Sequence, residues 1–154
     1  MKFQEIVSGD HVHLDVDVRD PVLALHEAAK SLADEIGIET ETIVKELVER
    51  ERLGSTSVGS GFAIPHCKID GLDRLVVSLV RFKEPVDFGG VNNEPVRFFF
   101  TVLSPPDQPA AHLQILSQIA RLLKREDLRE QLMSAKEPDE IVATIKAAAE
   151  AEGL

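Results

Sequence analysis

Strict alternation of polar and apolar residues marks the first predicted element, HVHLDVDV at 11–18. This pattern predicts a strand with one buried face. Asp20 and Pro21 come next, a pair typical of a helix N-terminus, and Gly37 is suited to the left-handed residue that closes a helix. Between these limits, apolar residues at helical spacing predict the inner face of a first helix: Val22, Leu25, Ala29, Leu32 and Ile36.

A second helical pattern covers roughly 39–52, with Ile43, Val44, Leu47 and Val48 on its inner stripe. Two later runs, LVVSLVRF at 75–82 and VRFFFTVL at 96–103, are almost continuously apolar. Runs rich in β-branched and aromatic residues are typical of strands that are covered on both faces. The segment between them, EPVDFGGVNNEPV, contains two prolines, Gly89-Gly90 and Asn92-Asn93. It therefore predicts turns with at most a short strand.

Three helices are predicted in the remainder of the chain. One starts near Asp107, and the others lie near 126–134 and 138–150. Strands alternating with helices indicate an α/β protein, and 154 residues suit a single domain, 1–154, with one core. The first of these helices has an apolar set expected to face inward: Leu113, Leu116, Ile119, Ala120 and Leu123.

The composition of the chain argues against several kinds of function and site. The 17 basic residues face 27 acidic ones, and this net charge of −10 argues against nucleic-acid binding, which needs clustered Lys and Arg. Cys67 is the only cysteine, so neither an intramolecular disulfide nor a multi-cysteine metal site can form. No signal-like opening and no membrane-length apolar run is seen, which predicts a cytoplasmic protein without direct membrane insertion.

The most unusual segment is GSTSVGSGFAIPHCK at 54–68. Glycines let backbone N–H groups approach an anion, and small hydroxyls add hydrogen bonds, so a phosphate site is one interpretation. Gly54 and Gly59 have the spacing of a nucleotide P-loop, but Ser60 stands where that motif needs lysine. No nucleotide is therefore implied, and taken alone the segment is more typical of a turn.

Three side chains are not typical core or surface residues of the predicted helices and strands. Arg50 continues the inner stripe of the second helix, which aims a guanidinium at the edge of the core. His112 lies on the inner stripe in the first turn of its helix, where the positive helix end favours a neutral ring. His66 follows Pro65, which restrains the local backbone.

Together these groups suit phosphoryl transfer without a nucleotide, a metal or another cofactor. A neutral imidazole nitrogen is a competent nucleophile towards phosphorus near neutral pH. The arginine fork and oriented N–H donors can stabilise the charge of the transferred group. Taken singly, however, His112 is more typical of a hydrogen-bonded core residue, and Arg50 of a cation at a helix end.

Two other groups of residues could indicate a metal site or a thiol nucleophile. His11, His13, Asp15 and Asp17 share one face of the first strand, but an extended row suits a solvated polar face better than a metal site. Cys67 is adjacent to His66, yet adjacency in sequence does not make a thiolate–imidazole pair.

The segment RERLGSTSVGSGFAIPHCKIDGL and the later PPDQPAAHLQIL resemble the type-2 IIA components of the bacterial phosphoenolpyruvate-dependent phosphotransferase system, the fructose, mannitol and nitrogen-regulatory branch. The resemblance implies a mixed β-sheet sandwiched between helices. It makes His66 the phosphorylated residue, with His112 and Arg50 as its companions. It also implies a loop that cradles the phosphoryl group, with Ser55, Thr56, Gly59 and Gly61 as the phosphate-binding residues.

The resemblance also implies partners. Members of this family accept a phosphoryl group from the phosphohistidine protein HPr or its nitrogen-branch paralogue. They pass it to a IIB component or signal through it to a transporter or a sensor kinase. The short chain favours the nitrogen-regulatory type, although Cys67 stands where that type is expected to have a glycine. The alternatives are a fructose- or mannitol-type sugar IIA protein and a binding module without the chemistry.

Overall fold

The computed structural model describes residues 3–88 and 94–154. After two short 3-10 turns, these residues form a sheet of six strands and five helices. The strands are Val12–Val16 (β1), Ser57–Gly59 (β2), Phe62–Ala63 (β3), His66–Lys68 (β4), Val76–Val86 (β5) and Val96–Ser104 (β6). The helices are Pro21–Ile36 (α1), Thr40–Arg52 (α2), Pro109–Leu122 (α3), Glu126–Ser134 (α4) and Pro138–Ala151 (α5).

The sheet is mixed, as expected. Its order is β1-β5-β6-β3-β2, and β4 also pairs with β6. The long β5 and β6 form an antiparallel pair at the centre. Strand β1 is parallel to β5, whereas β3 and β4 are both parallel to β6. Strand β4 has β6 as its only partner among the described strands, and therefore lies at an edge of the sheet.

Two helical layers cover the two faces of the sheet. Helices α1 and α2 pack with one apolar cluster, and α3, α4 and α5 pack with the other. The first half of β5 and nearly all of β6 are buried because alternate residues enter opposite clusters. The predicted helix–sheet–helix sandwich is thus confirmed. No described helix is long and apolar enough to cross a lipid bilayer.

The limits of α1 follow the sequence prediction. The Asp20 carboxylate accepts a hydrogen bond from the backbone N–H of Leu23 at 2.9 Å, which satisfies one of the free donors at the helix start. Pro21 occupies the first turn, where its missing N–H is not needed. Gly37 ends the helix with φ 69°, a left-handed conformation that glycine adopts without steric cost.

The inner faces of α1 and α3 differ from the prediction at one position each. Val22 is 49% exposed and Leu113 is 68% exposed. Val22 lies in the first turn of α1, before the buried set Ala24, Leu25, Ala28, Ala29, Leu32 and Ala33. In α3, which begins at Pro109 rather than near Asp107, Ile119 and Leu123 are buried as predicted, and Leu116 and Ala120 pack against the same cluster.

Two predicted loop regions contain strands. Strand β5 continues through the exposed Lys83–Pro85 stretch to the fully buried Val86, which pairs with Val96. The glycine-rich segment holds three short strands instead of a free loop. Strand pairing makes these segments extended, since β3 and β4 pair with β6 and β2 pairs with β3. Periodicity does not reveal such pairing. The predicted Gly89-Gly90 and Asn92-Asn93 turn lies outside the described residues.

The central aromatic cluster should dominate the stability of the fold. Phe99 is fully buried on β6 and contacts Phe82 and Phe88, with ring centroids 4.8 and 4.7 Å away. We expect Phe99→Ala to lower the free energy of unfolding by about 3–5 kcal/mol, because it removes buried apolar area and leaves a cavity. Urea unfolding followed by circular dichroism measures this change.

The matched control is Leu23→Ala, at a position that is 56% exposed on α1. This change should alter the free energy of unfolding by less than about 0.5 kcal/mol. Equal effects of the two substitutions would contradict the assignment of Phe99 to the core.

Candidate active site

His66 lies on a strand that is interrupted just before it. Residues 62–68 run along β6 in one register, since Phe62 pairs with Phe98 and His66 pairs with Val102. The interruption falls at Ile64-Pro65, and the Pro65 carbonyl still accepts from the Val102 N–H at 2.9 Å. The sheet therefore fixes the backbone of His66 from both sides of the interruption.

The edge position explains how two helical layers reach one histidine. Side chains alternate along β4, so Cys67 enters the cluster with α1 and α2, and His66 faces the layer of α3. His112 approaches from α3 on that side. Arg50 approaches from α2, in the other layer, and reaches His66 at an edge that none of the described strands covers.

The hydrogen bonds of His66 define which ring nitrogen is reactive. Its Nδ1 lies 2.7 Å from the carbonyl oxygen of Ile64, and a carbonyl can only accept, so Nδ1 carries a proton. In the neutral ring Nε2 then has a free lone pair. The Nε–H of Arg50 donates to this lone pair at 3.3 Å, and another Arg50 N–H donates to the carbonyl of Gly54 at 3.0 Å.

His112 completes the group. Its ring centroid is 5.4 Å from that of His66, with an angle of 56° between the planes. The side chain is buried in the first turn of α3, as predicted. Its Nδ1 lies 2.6 Å from the hydroxyl of Ser104, the last residue of β6. The structure thus brings together the three predicted residues His66, His112 and Arg50.

Both rings are biased towards the neutral form. Burial lowers the pKa of His66, and the positive charge of Arg50 lowers it further, against the opposing effect of the hydrogen bond to the Ile64 carbonyl. Burial also lowers the pKa of His112, with further lowering from His66, Lys68 and Arg50. A neutral His66 retains the lone pair that a nucleophile needs.

These three residues line a pocket of about 420 Å³ that is open to solvent. Lys68 lies two residues beyond His66 on the same face of β4, and its charge faces the pocket region. Strand alternation would have identified Lys68 once β4 was recognised as a strand. The full lining is Glu46, Glu49, Arg50, Leu53, His66, Cys67, Lys68 and His112.

The four expected phosphate-binding residues are placed elsewhere. The Ser55 hydroxyl donates to the carbonyl of Phe88 at 3.1 Å. Thr56 donates to the carboxylate of Glu51 through both its N–H and its hydroxyl. Burial raises the pKa of Glu51, against the opposing effect of these hydrogen bonds.

Gly59, the last residue of β2, and Gly61, in the turn before β3, have φ of 87° and 86°. Such positive φ values favour glycine, so these residues are explained by the turn itself. None of Ser55, Thr56, Gly59 and Gly61 lines the pocket that holds His66. The phosphate-binding role of these four residues stays a prediction.

Cys67 does not have the properties of a nucleophile. Burial raises the pKa of its thiol to about 12, with a further contribution from Glu46. The reactive form of cysteine is the thiolate, which is scarce near neutral pH at such a pKa. The thiol interpretation is therefore not supported.

The polar face of β1 is solvated, as predicted: His13, Asp15 and Asp17 are exposed, whereas His11 precedes the strand. The side chain of His11 is mostly buried, and its Nε2 lies 3.1 Å from a carboxylate oxygen of Glu35. The carboxylate of Asp15 accepts from the buried guanidinium of Arg81 at 3.3 Å. Across residues 3–88 and 94–154, no three His, Cys, Asp or Glu side chains are grouped as metal ligands would be.

The lowered pKa of His66 predicts a measurable titration. The ordinary value is 6.5, so the His66 midpoint should lie below 6.5, and the ring should remain neutral at pH values where a free histidine is largely protonated. Chemical shifts of the imidazole CH groups, followed by NMR from pH 8 to pH 4, give the midpoint. A midpoint above 6.5 would contradict the burial argument.

Comparison with known proteins identifies the family of the chain. The family model for the "Phosphoenolpyruvate-dependent sugar phosphotransferase system, EIIA 2" matches residues 5–148. The "Nitrogen regulatory protein" of Pseudomonas aeruginosa is 39% identical over 136 residues, which cover 88% of each chain. That of Bradyrhizobium diazoefficiens is 31% identical over 145 residues, 94% of this chain and 95% of the relative.

A solved structure gives the same result. The crystal structure of nitrogen regulatory protein IIA-Ntr from Neisseria meningitidis superposes with a TM-score of 0.88 at 32% identity, covering 92% of this chain and 97% of that one. The cysteine after His66 therefore does not separate the chain from the nitrogen-regulatory type. The chain belongs to the EIIA 2 family of the phosphoenolpyruvate-dependent sugar phosphotransferase system, and it is a phosphocarrier of the nitrogen-regulatory type.

Proposed function

We propose that Nε2 of His66 accepts a phosphoryl group from the phosphohistidine of an HPr-type donor, and that the protein is in this sense a phosphotransferase. The observation that carries the proposal is the tautomer of His66. The Ile64 carbonyl holds the proton on Nδ1, which leaves the Nε2 lone pair in an open pocket beside a guanidinium. This is the nitrogen that can attack phosphorus.

The transfer step exchanges one phosphorus–nitrogen bond for another. The Nε2 lone pair of His66 forms the new bond while the bond to the donor nitrogen breaks, and the donor ring keeps that electron pair. The Nδ1 proton stays on His66, where the Ile64 carbonyl accepts it and stabilises the positive charge that develops on the ring. No proton has to leave the site during the exchange.

Three groups are placed to stabilise the charge of the phosphoryl oxygens. Arg50 contacts the nucleophilic nitrogen itself, so its N–H groups lie next to the position of the incoming phosphorus. Lys68 and His112 line the same pocket. Phosphoryl transfer depends mainly on positioning and on charge stabilisation of this kind.

The surroundings of the pocket favour a protein as donor. Leu53 at the end of α2 is 84% exposed, and Leu113 in the first turn of α3 is 68% exposed. Large apolar side chains exposed near a shallow site are typical of protein contacts. We infer that the donor's phosphohistidine enters the pocket while its surface covers these leucines.

For the output we propose regulation in the cytoplasm: the phosphorylated and unphosphorylated forms differ at a charged, partly apolar surface, which different protein targets can recognise. This proposal follows the nitrogen-regulatory type of the chain. A IIB component as acceptor is the alternative. Adding a IIB protein to the phosphorylated chain separates the two, since a relay loses its phosphoryl group to IIB.

The experiment that tests the function is intact-mass analysis after incubation with phosphoenolpyruvate, enzyme I and HPr, or the nitrogen-branch paralogues of these two proteins. The expected result is the addition of one acid-labile phosphoryl group. A control IIA protein shows that each donor chain is active. No added mass with both active donor chains would overturn the proposal and favour a binding module without the chemistry.

A further inference from the structure

The hydroxyl of Ser104 makes a buried contact with the ring of His112. Ser104 is fully buried at the end of β6, and its Oγ lies 2.6 Å from Nδ1 of His112. The sheet fixes its backbone, since Ser104 pairs with Lys68 and its carbonyl accepts from the Ile69 N–H at 3.0 Å. The hydroxyl is therefore presented to His112 by a rigid strand rather than by a loop.

Two arrangements of protons are compatible with this distance. Either the Ser104 O–H donates to Nδ1, or Nδ1–H donates to Oγ. In the second arrangement the hydroxyl proton needs another acceptor, and within residues 3–88 and 94–154 the Ser104 Oγ has no hydrogen-bond partner besides His112. A buried donor without an acceptor is unfavourable. The first arrangement satisfies the donor, and it leaves the proton of the neutral His112 ring on Nε2.

The first arrangement also suits the chemistry of the pocket. A phosphoryl group on Nε2 of His66 presents oxygens that can only accept hydrogen bonds. A His112 ring with a bare Nε2 would direct a lone pair into the shared pocket, whereas a protonated Nε2 provides a donor. The two rings are close enough to share one ligand, with centroids 5.4 Å apart.

We propose that Ser104 is a positioning residue that holds His112 in the Nε2–H tautomer, so that His112 donates a hydrogen bond to the phosphoryl group on His66. The inference rests on the proposed function, but its first test does not. The tautomer is a property of the unphosphorylated protein and can be measured without any donor.

Long-range ¹H–¹⁵N NMR correlations of the imidazole rings distinguish the two tautomers. The wild-type protein, at a pH where His112 is neutral, should show the Nε2–H pattern for His112. Ser104→Ala should mix in the Nδ1–H pattern. The matched control is Ser78→Ala, which removes another fully buried hydroxyl, one that donates to the Ala28 carbonyl at 3.2 Å in the opposite layer. It should leave His112 unchanged.

The second readout is the rate of phosphoryl acceptance. Ser104→Ala should lower kcat about two- to tenfold, the effect of losing one hydrogen bond, with little change in KM. Ser104→Thr keeps a hydroxyl and should restore the rate. In a His112→Ala background, Ser104→Ala should have no further effect, because Ser104 acts through His112.

Failure of the proposed role of Ser104 can be distinguished from failure of the proposed function. An Nδ1–H pattern in the wild-type protein, or an unchanged pattern in Ser104→Ala, would overturn the role of Ser104 and leave the proposed function intact. A wild-type protein that takes no phosphoryl group would overturn the proposed function, while the NMR result would still decide the tautomer. Should Ser104→Ala not fold, Ser104→Cys keeps the volume with a weaker donor and should shift the tautomer partly; an unshifted pattern there would count against the proposal.

Discussion

His66→Ala should carry no phosphoryl group after incubation with phosphoenolpyruvate, enzyme I and HPr, while the wild-type protein gains one. The reason is that Nε2 of His66 is unprotonated and directs its lone pair into the pocket beside Arg50, whereas Nδ1 of the second ring, His112, is engaged by Ser104. The loss should be complete rather than partial, since no bond to phosphorus can form without the nucleophile. Intact mass measures the result directly.

The fold should survive this change. His66 is only partly buried and lies on an edge strand, so truncation opens no closed cavity. Circular dichroism and the unfolding midpoint serve as checks, and His26→Ala, on the flank of α1, is the matched control that should still gain one phosphoryl group. Acid-labile phosphorylation retained in His66→Ala would show that another residue is the acceptor.

The same geometry predicts the position of the phosphoryl group on the ring. Because the Nδ1 proton of His66 is held by the Ile64 carbonyl at 2.7 Å, the modification should be found on Nε2. Nitrogen-15 NMR of the phosphorylated protein distinguishes the two isomers. An Nδ1-phosphorylated ring would require the Ile64 contact to break and would contradict the assigned tautomer.

Arg50→Ala should slow phosphoryl acceptance by about 100- to 1000-fold without abolishing it, the range observed when one preorganised donor is removed from a charge-stabilising site. Arg50 is the only described side chain that donates a hydrogen bond to Nε2 of His66. In the free protein this contact orients the ring, and during transfer the same N–H groups can move to the phosphoryl oxygens. Quenched-flow sampling with excess phospho-HPr measures the rate constant.

Charge and geometry at Arg50 can be tested separately. Arg50→Lys keeps the positive charge but loses the planar fork, so its rate should fall between those of wild type and Arg50→Ala. Arg52→Ala, two residues further along α2, removes an exposed arginine that does not line the pocket, and should transfer at close to the native rate. Equal rates for Arg50→Ala and wild type would show that the guanidinium has no part in the transfer.

Much of the fold could be predicted because its signals are local. The alternation in β1, the caps Asp20 and Gly37, and the apolar runs of β5 and β6 each depend on residues close together in sequence. The errors occurred where tertiary packing decides. Val22 and Leu113 fit an apolar stripe by spacing, yet the rotation of each helix against the sheet turns them to solvent.

In the candidate site, too, some features could be predicted from the sequence and others could not. Helix position indicated His112 and Arg50, the segment around Pro65 indicated His66, and the family resemblance assigned their roles; the structure places all three in one pocket. The four loop residues Ser55, Thr56, Gly59 and Gly61 have the composition of a phosphate cradle. Their partners, however, are Glu51, the Phe88 carbonyl and a tight turn, and a pattern of residue types cannot reveal such partners.

The sequence by itself determined the chemistry and the elements: which side chains can take and stabilise a phosphoryl group, and which segments form helices and central strands. Only the tertiary structure decided where they meet. Pairing of β4 with β6 at the edge of the sheet exposes His66 to both helical layers, and α3 places His112 beside Ser104 and His66. The physical reason is that periodicity depends on residue types along the chain, whereas ring tautomers and pockets depend on the hydrogen bonds and packing of the folded chain.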